Sequence, residues 1–230
     1  MQLIVMTALT LACCFFANSF LNCAENKLYK KSLTMKVLAS ACYAGVGGIA
    51  MTGCWYSVFG HLIFAGLCLG LAGDVLLGLR LLYPKKSGAY AAAGAVSYAA
   101  ANACGIAAFI GLTPKVLYVA APYAAAGMFF ACKYLKKRKV KMKRLAYLGI
   151  LYELLLLIMG GCAAGGAVFA VSPGTILFAV GGLFLAIADN LLISDMYGTG
   201  HSADRLRTSS ILYYSARIFT AFSMITLFVI

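Results

Sequence analysis

A chain of 230 residues that is 63% hydrophobic and 11% charged, with a mean hydropathy of +0.94, has more apolar surface than a soluble domain of this length can bury. Lipid must then be the solvent of its outer faces, which excludes an ordinary soluble enzyme. The net charge of +13 would suit a nucleic-acid partner, but the cations are gathered on alternate connections between apolar runs, which suits a membrane better.

Eight apolar segments approach the roughly 20 residues that span a bilayer as a helix. They fall near 3–21, 37–54, 58–82, 88–110, 115–132, 145–166, 173–193 and 210–229. The prediction is an all-α polytopic bundle forming one integral membrane domain over 1–230, with about eight spans, or seven if one segment lies in the interface. The first segment, "MQLIVMTALTLACCFFANSFLNC", has no basic n-region and no small-x-small cleavage site, so it reads as a retained span. Lys27, Lys30, Lys31 and Lys36 follow it. Arg80, Lys85 and Lys86 follow the third span, "KYLKKRKVKMKR" the fifth, and Arg205 and Arg207 the seventh. The opposite loops carry only Lys115. This positive-inside pattern places both termini outside the cytosol. The basic loops also suit contact with anionic lipid, and no nucleic-acid partner is expected.

The third span, "GLCLGLAGDVLLGL" in its central part, contains Asp74. Gly66, Gly70, Asp74 and Gly78 recur every four residues, so one face allows close helix approach and turns Asp74 toward the bundle. The sixth span holds Glu153, the seventh Asp189 with Asp195 at its mouth, and the eighth Tyr213, Tyr214 and Arg217. Counted from the basic ends, Asp74, Glu153, Asp189 and Arg217 share one depth. Buried charges cost several kcal/mol, of order, unless paired. Three carboxylates facing one guanidinium predict that at least one acid keeps its proton. Such a set can serve acid/base hydrolysis or proton-coupled transport, and Glu153 reads either as a partner of Arg217 or as a functional acid. Spans three and seven share [Gly/Ala]-Asp-x-Leu-Leu, either a trace of a parallel four-plus-four repeat or a chance match.

The nine cysteines are scattered without a CxxC. His61 and His201 fall on opposite membrane sides, which argues against a zinc site; neither a metal nor a cofactor is expected. Asp195 and Asp204 are expected in solvated loops.

The stretches "GLAGDVLLGL", "GAVSYAAANACGIAAF", "GGLFLAIADNLLISDMY" and "YYSARIFTAFS", in this order and spacing over residues 60–223, resemble the YhhN-like lysoplasmalogenase family. The resemblance places its motif residues on Gly73 and Asp74, on Ala188 and Asp189 with Asp195, and on Tyr213 and Tyr214. Asn102 stands where the family has His, and Arg217 where it has Gln. The resemblance implies hydrolysis of the vinyl-ether bond of a lysoplasmalogen, without metal, to a fatty aldehyde and a glycerophospho-base. Asp74 and Asp189 would then be the catalytic pair. Arg217, Asn102, Tyr213, Tyr214, Glu153 and Asp195 would contact the single-chain lipid. A proton-coupled transporter using the same acids, or a lipid-binding member without activity, are the other readings. The basic loops and short connections fit a bacterial plasma membrane.

Overall fold

The computed structural model describes residues 1–139, 146–197 and 202–228. His201 and the end of the basic run, from residue 140, lie outside them. Eight long helices run in order: α1 (Gln2–Glu25), α2 (Tyr29–Gly53), α3 (Val58–Leu82), α4 (Ser87–Leu112), α5 (Leu117–Lys137), α6 (Ala146–Phe169), α7 (Pro173–Tyr197) and α8 (Ala203–Phe228). Among the described residues seven helices, α1 to α7, are long and apolar enough to cross a membrane. The eighth is as long but less apolar because it supplies polar groups to the interior: Ser209, Tyr213, Tyr214, Arg217 and Ser223 are all buried. The protein is therefore an all-helical integral membrane protein, as its composition requires.

Helix starts follow local chemistry. Ser57 caps α3 by accepting from the Gly60 N–H at 3.3 Å. Ser172 caps α7 in a reciprocal pair: its hydroxyl accepts from the Thr175 N–H at 3.1 Å, and Thr175 Oγ1 accepts from the Ser172 N–H at 3.0 Å. Two helix starts depart from expectation: α8 begins at Ala203, seven residues before its apolar run at 210–229, and α2 departs likewise. Helix α2 starts at Tyr29, eight residues before the apolar run, because "YKKSLTMK" contains no Gly or Pro to stop a helix. Lys36 thereby moves from a loop into a helix. Asp195 and Asp204, expected in loops, belong to the last turn of α7 and the first turn of α8.

Helices α2, α3, α4, α6, α7 and α8 pack in a closed ring in that order, α8 returning to α2. Outside it, α1 lies on α2 and α8, and α5 lies on α6. The arrangement is a duplication. Helices α3 and α7 begin and end 115 residues apart, 58 to 173 and 82 to 197. The same step carries Ser57 to Ser172, Gly66 to Gly181, Asp74 to Asp189, Tyr98 to Tyr213 and Asn102 to Arg217. Packing repeats with it: α1 on α2 as α5 on α6, α3 on α4 as α7 on α8, and α2 on α8 as α6 on α4. A Cβ on Gly66 would lie 3.2 Å from the Ala101 carbonyl oxygen, and one on Gly181 would lie 3.1 Å from the equivalent Ala216 oxygen. Glycine at both places lets two backbones touch.

Candidate functional site

Asp74 is the most heavily bonded group in the interior, with 1% exposure. Its Oδ2 accepts from Ser40 at 2.7 Å, Tyr213 at 2.7 Å and Tyr43 at 3.1 Å. Its Oδ1 accepts from Tyr98 at 2.8 Å and faces Lys36 Nζ at 3.0 Å. Three helices bring these donors to it. On α2, Lys36, Ser40 and Tyr43 follow an i, i+4, i+7 spacing and share one face. Tyr98 comes from α4 and Tyr213 from α8. An ionised carboxylate offers only acceptors, and five donors fill them.

Asp189 is bonded more sparsely. It is 7% exposed, and among the described residues one hydrogen bond reaches it, a short one from the Tyr152 hydroxyl to Oδ2. The 115-residue step carries Lys36 of α2 to Leu151 of α6, the neighbour of Tyr152, so Lys36 and Tyr152 come from corresponding turns. At this level of the preceding helix Asp74 meets an ammonium and Asp189 a phenol, and α2 adds the Ser40 and Tyr43 hydroxyls to Asp74 alone.

Both aspartates face a cavity of about 140 Å³ at the end of the bundle that carries the basic residues. Its floor is Asp74, Asp189, Tyr98, Tyr152, Tyr213 and Tyr214, with Lys36 at one side. Leu77, Leu192, Ile193 and Leu206 make its upper walls apolar. Lys36 lies about 10 Å, and Asp74 and Asp189 about 12 Å, from their helix ends at that face. Tyr214 lines the cavity, and its buried hydroxyl has no partner within hydrogen-bond geometry among the described residues.

The other expected contacts separate from this space. Arg217 and Asn102 line a second, deeper cavity of about 20 Å³. The Arg217 guanidinium is not paired with Glu153, and no carboxylate among the described residues forms an ion pair with it. It lies instead over the Tyr213 and Tyr98 rings, at 5.1 and 5.8 Å from their centroids. Gly70 leaves it room, since a Cβ there would sit 3.2 Å from its Cζ. Glu153 accepts from Asn190 at 2.8 Å and lines neither cavity. Asp195 pairs with Arg205 at 3.4 Å and accepts from the Ser202 N–H at 3.0 Å, tying the end of α7 to the start of α8. The expected three acids around one guanidinium are therefore replaced by two aspartates near two cations, with Glu153 set apart.

Lys36, Ser40, Tyr43, Tyr98 and Tyr152 are the site residues that the sequence reading passed over. Lys36 was counted with the topology signal. The signal that could have found it is the Lys36, Ser40, Tyr43 spacing, which continues to the buried Gly47 on the same face. Tyr98 could have been found by stepping back 115 residues from Tyr213. Among the described residues no group of three His, Cys, Asp or Glu side chains could hold a metal ion, and all nine cysteines are free thiols.

The YhhN family model matches residues 26–224, most of the chain, and takes in both aspartates and the residues bonded to them, from Lys36 to Tyr213. The chain belongs to the YhhN family. No curated protein and no solved structure matches it. In this YhhN protein the family match begins in the turn before α2, so the helix that carries Lys36 is part of the shared region and α1 stands outside it.

Proposed function

We propose that this YhhN protein is a membrane hydrolase that cleaves the vinyl-ether bond of lysoplasmalogen-type lysophospholipids, acting in the cytosolic half of a bacterial plasma membrane. The observation that carries this reading is the pair of duplicated aspartates with unequal surroundings on the floor of an apolar cavity. Vinyl-ether hydrolysis needs a proton donor to carbon and a counter-charge for the cation that results, much as glycosidases divide two carboxyl groups between two tasks.

Asp189, with one phenolic partner, is the proton donor. It protonates the distal alkene carbon, and the ether oxygen shares the positive charge left on the other carbon. Water adds to that carbon and returns a proton to Asp189. The hemiacetal then breaks its bond to the glycerol oxygen, giving a fatty aldehyde and a glycerophospho-base. Asp74 has no lone pair to spare. It holds Tyr98 and Tyr213 in place and supplies fixed negative charge below the developing cation, where low polarity strengthens the interaction. Tyr214 offers a hydroxyl to the substrate. The substrate phosphate stays at the basic end, near Lys36 and the connections that also meet anionic lipid. Arg217 and Asn102, in their own cavity, support the tyrosine layer from beneath.

The test is aldehyde release from an alkenyl lysophospholipid by purified protein in detergent, with and without EDTA, beside Asp189→Asn and Asp74→Asn. Wild-type turnover insensitive to EDTA and lost in both variants is the expected result. Folded wild-type protein that releases no aldehyde across a range of head groups overturns the reading.

One observation favours a second reading. Two parallel halves around a shared polar layer, with a cavity on each side of it, is a plan that transporters use. Proton-coupled flux across sealed vesicles, blocked in the same variants and without product chemistry, would establish that role instead. Binding of a lysophospholipid with neither turnover nor flux would identify a lipid-binding member.

A further inference from the structure

The duplication would give the cavity two equivalent side seams, one between α4 and α6 and one between α8 and α2. They differ. The α8–α2 seam is covered by α1, whose Phe20 reaches through to line the cavity beneath Lys36, with Nζ 5.9 Å from the ring centroid. Outside it, Arg207 of α8 grips Glu25 of α1 through two hydrogen bonds of 2.7 and 2.9 Å. The step of 115 residues takes Phe20 to Leu135 of α5, which does not line the cavity. Helix α5 lies on α6, with a lighter contact to α7, and does not reach α4 as α1 reaches α8.

The α4–α6 seam is sealed on the far side. Gly105 meets Met159 and Phe109 meets Gly166, and the Tyr98 and Tyr152 rings close the row with centroids 6.1 Å apart. Toward the basic end, the side chains along it become Ala91, Ala92 and Ala95 on α4 and Leu148 and Gly149 on α6, and all five line the cavity. Ala92, Ala95, Leu148 and Gly149 are part-exposed, and the neighbouring outer positions Val96 and Ile150 are exposed apolar side chains.

We infer that the α4–α6 seam is a lateral port through which the single alkyl chain of the substrate runs from the carboxylates into the bilayer. The inference rests on the lipid reading of the site. Size requires an exit of this kind. A cavity of about 140 Å³ is smaller than the roughly 300–1,000 Å³ of sites that enclose a whole drug-sized ligand, and the tyrosine layer closes its floor. A long chain cannot be enclosed, and threading it toward the basic end would place it in water. The route that keeps it in apolar surroundings passes through the wall, and the wall residues on α4 and α6 are small or apolar. The port also sets a specificity: one chain passes between Ala92 and Gly149, and a diacyl lipid brings two.

The test does not depend on turnover. A single-chain alkyl-ether lysophospholipid carrying a photoreactive diazirine in mid-chain is irradiated with the wild-type protein in nanodiscs, and labelled peptides are mapped. Labelling concentrated on the basic-end halves of α4 and α6, and competed by unlabelled single-chain lipid more than by diacyl lipid, is expected. Labelling centred on α1 and α8, or spread around the bundle as with a diacyl probe, overturns the port. Ala92→Phe with Gly149→Leu, checked for wild-type melting, should abolish the focused labelling. In the aldehyde assay it should raise KM for long-chain substrate at least tenfold while sparing a short-chain analogue. Focused labelling without any aldehyde release would retain the port and reject the hydrolase; aldehyde release with labelling at α1 and α8 would do the reverse.

Discussion

Lys36 and Asp74 form an ion pair at 3.0 Å in which the acid is buried and the base is 16% exposed. Taking both charges from water costs several kcal/mol each, of order, and the pair is retained because four hydroxyls complete the carboxylate shell. Removing one partner is then worse than removing both. Lys36→Met should lower stability by about 3–5 kcal/mol, seen as a fall in melting temperature in detergent, and Lys36→Met with Asp74→Asn should recover part of it. Equal melting of wild type and Lys36→Met would show that the hydroxyls alone hold Asp74. At the second aspartate the expected effect falls on rate. Asp189→Asn should cost about 10²–10⁴-fold in kcat, the usual range for a positioned acid, with little change in melting. Tyr152→Phe removes the one hydrogen bond found to Asp189 and should lower kcat with KM nearly constant. A change in KM alone would make Tyr152 a wall residue.

Elements meet closely where glycine permits, and the permission differs from one glycine to the next. A Cβ on Gly73 would lie 2.9 Å from the Tyr98 ring, whose hydroxyl is bonded to Asp74, whereas a Cβ on Gly111 near the far end of α4 would meet nothing within 4 Å. Gly73→Ala should therefore push Tyr98 off Asp74 and reduce turnover, and Gly111→Ala should leave both turnover and melting unchanged or slightly improved. Similar losses in both variants would sink the argument, because helix propensity would then explain them. The glycine stripe was legible from its spacing of four in "GLCLGLAGDVLLGL", and with it the inward aim of Asp74. The common depth of Asp74 and Asp189 was legible too, because helical rise converts sequence distance to height, but Arg217 lies deeper than expected because α8 starts at Ala203, seven residues before its apolar run. What each charge touches was not. Depth alone left Glu153 either a partner of Arg217 or a functional acid, and rotation about the helix axis turns it to Asn190. Lys36 was missed because a lysine near an apolar run looks like a topology signal until the helix is seen to start at Tyr29.

At the scale of the whole molecule, the hint in [Gly/Ala]-Asp-x-Leu-Leu was a repeat covering the chain. Three identical residues and one similar one could not establish it, because lipid-facing positions tolerate almost any apolar side chain and erase similarity. What survives the 115-residue step is polar or close-packed: the Ser57 and Ser172 caps, Gly66 and Gly181 against the opposite carbonyls, the two aspartates, and Tyr98 with Tyr213. Each half also has its own internal packing, α1 to α4 in one and α5 to α8 in the other, and the halves join through α2 with α8 and α4 with α6. An even number of helices in each half gives both the same orientation, and each has its basic connections on the same side. The short connection Thr113–Val116 therefore adds proximity to an interface that packing already specifies. Cutting the chain after Lys115 and co-expressing residues 1–115 and 116–230 should give two inserted fragments that co-purify through a tag on one of them. Their complex should regain a measurable part of the intact chain's lysolipid labelling, since Asp74 needs Tyr213 from the other half. Tyr213→Phe in the second fragment should weaken the labelling without separating the fragments, because α2–α8 and α4–α6 packing is spread over many side chains. Fragments that insert but do not associate would show that the covalent link, rather than the duplicated interface, holds the bundle closed.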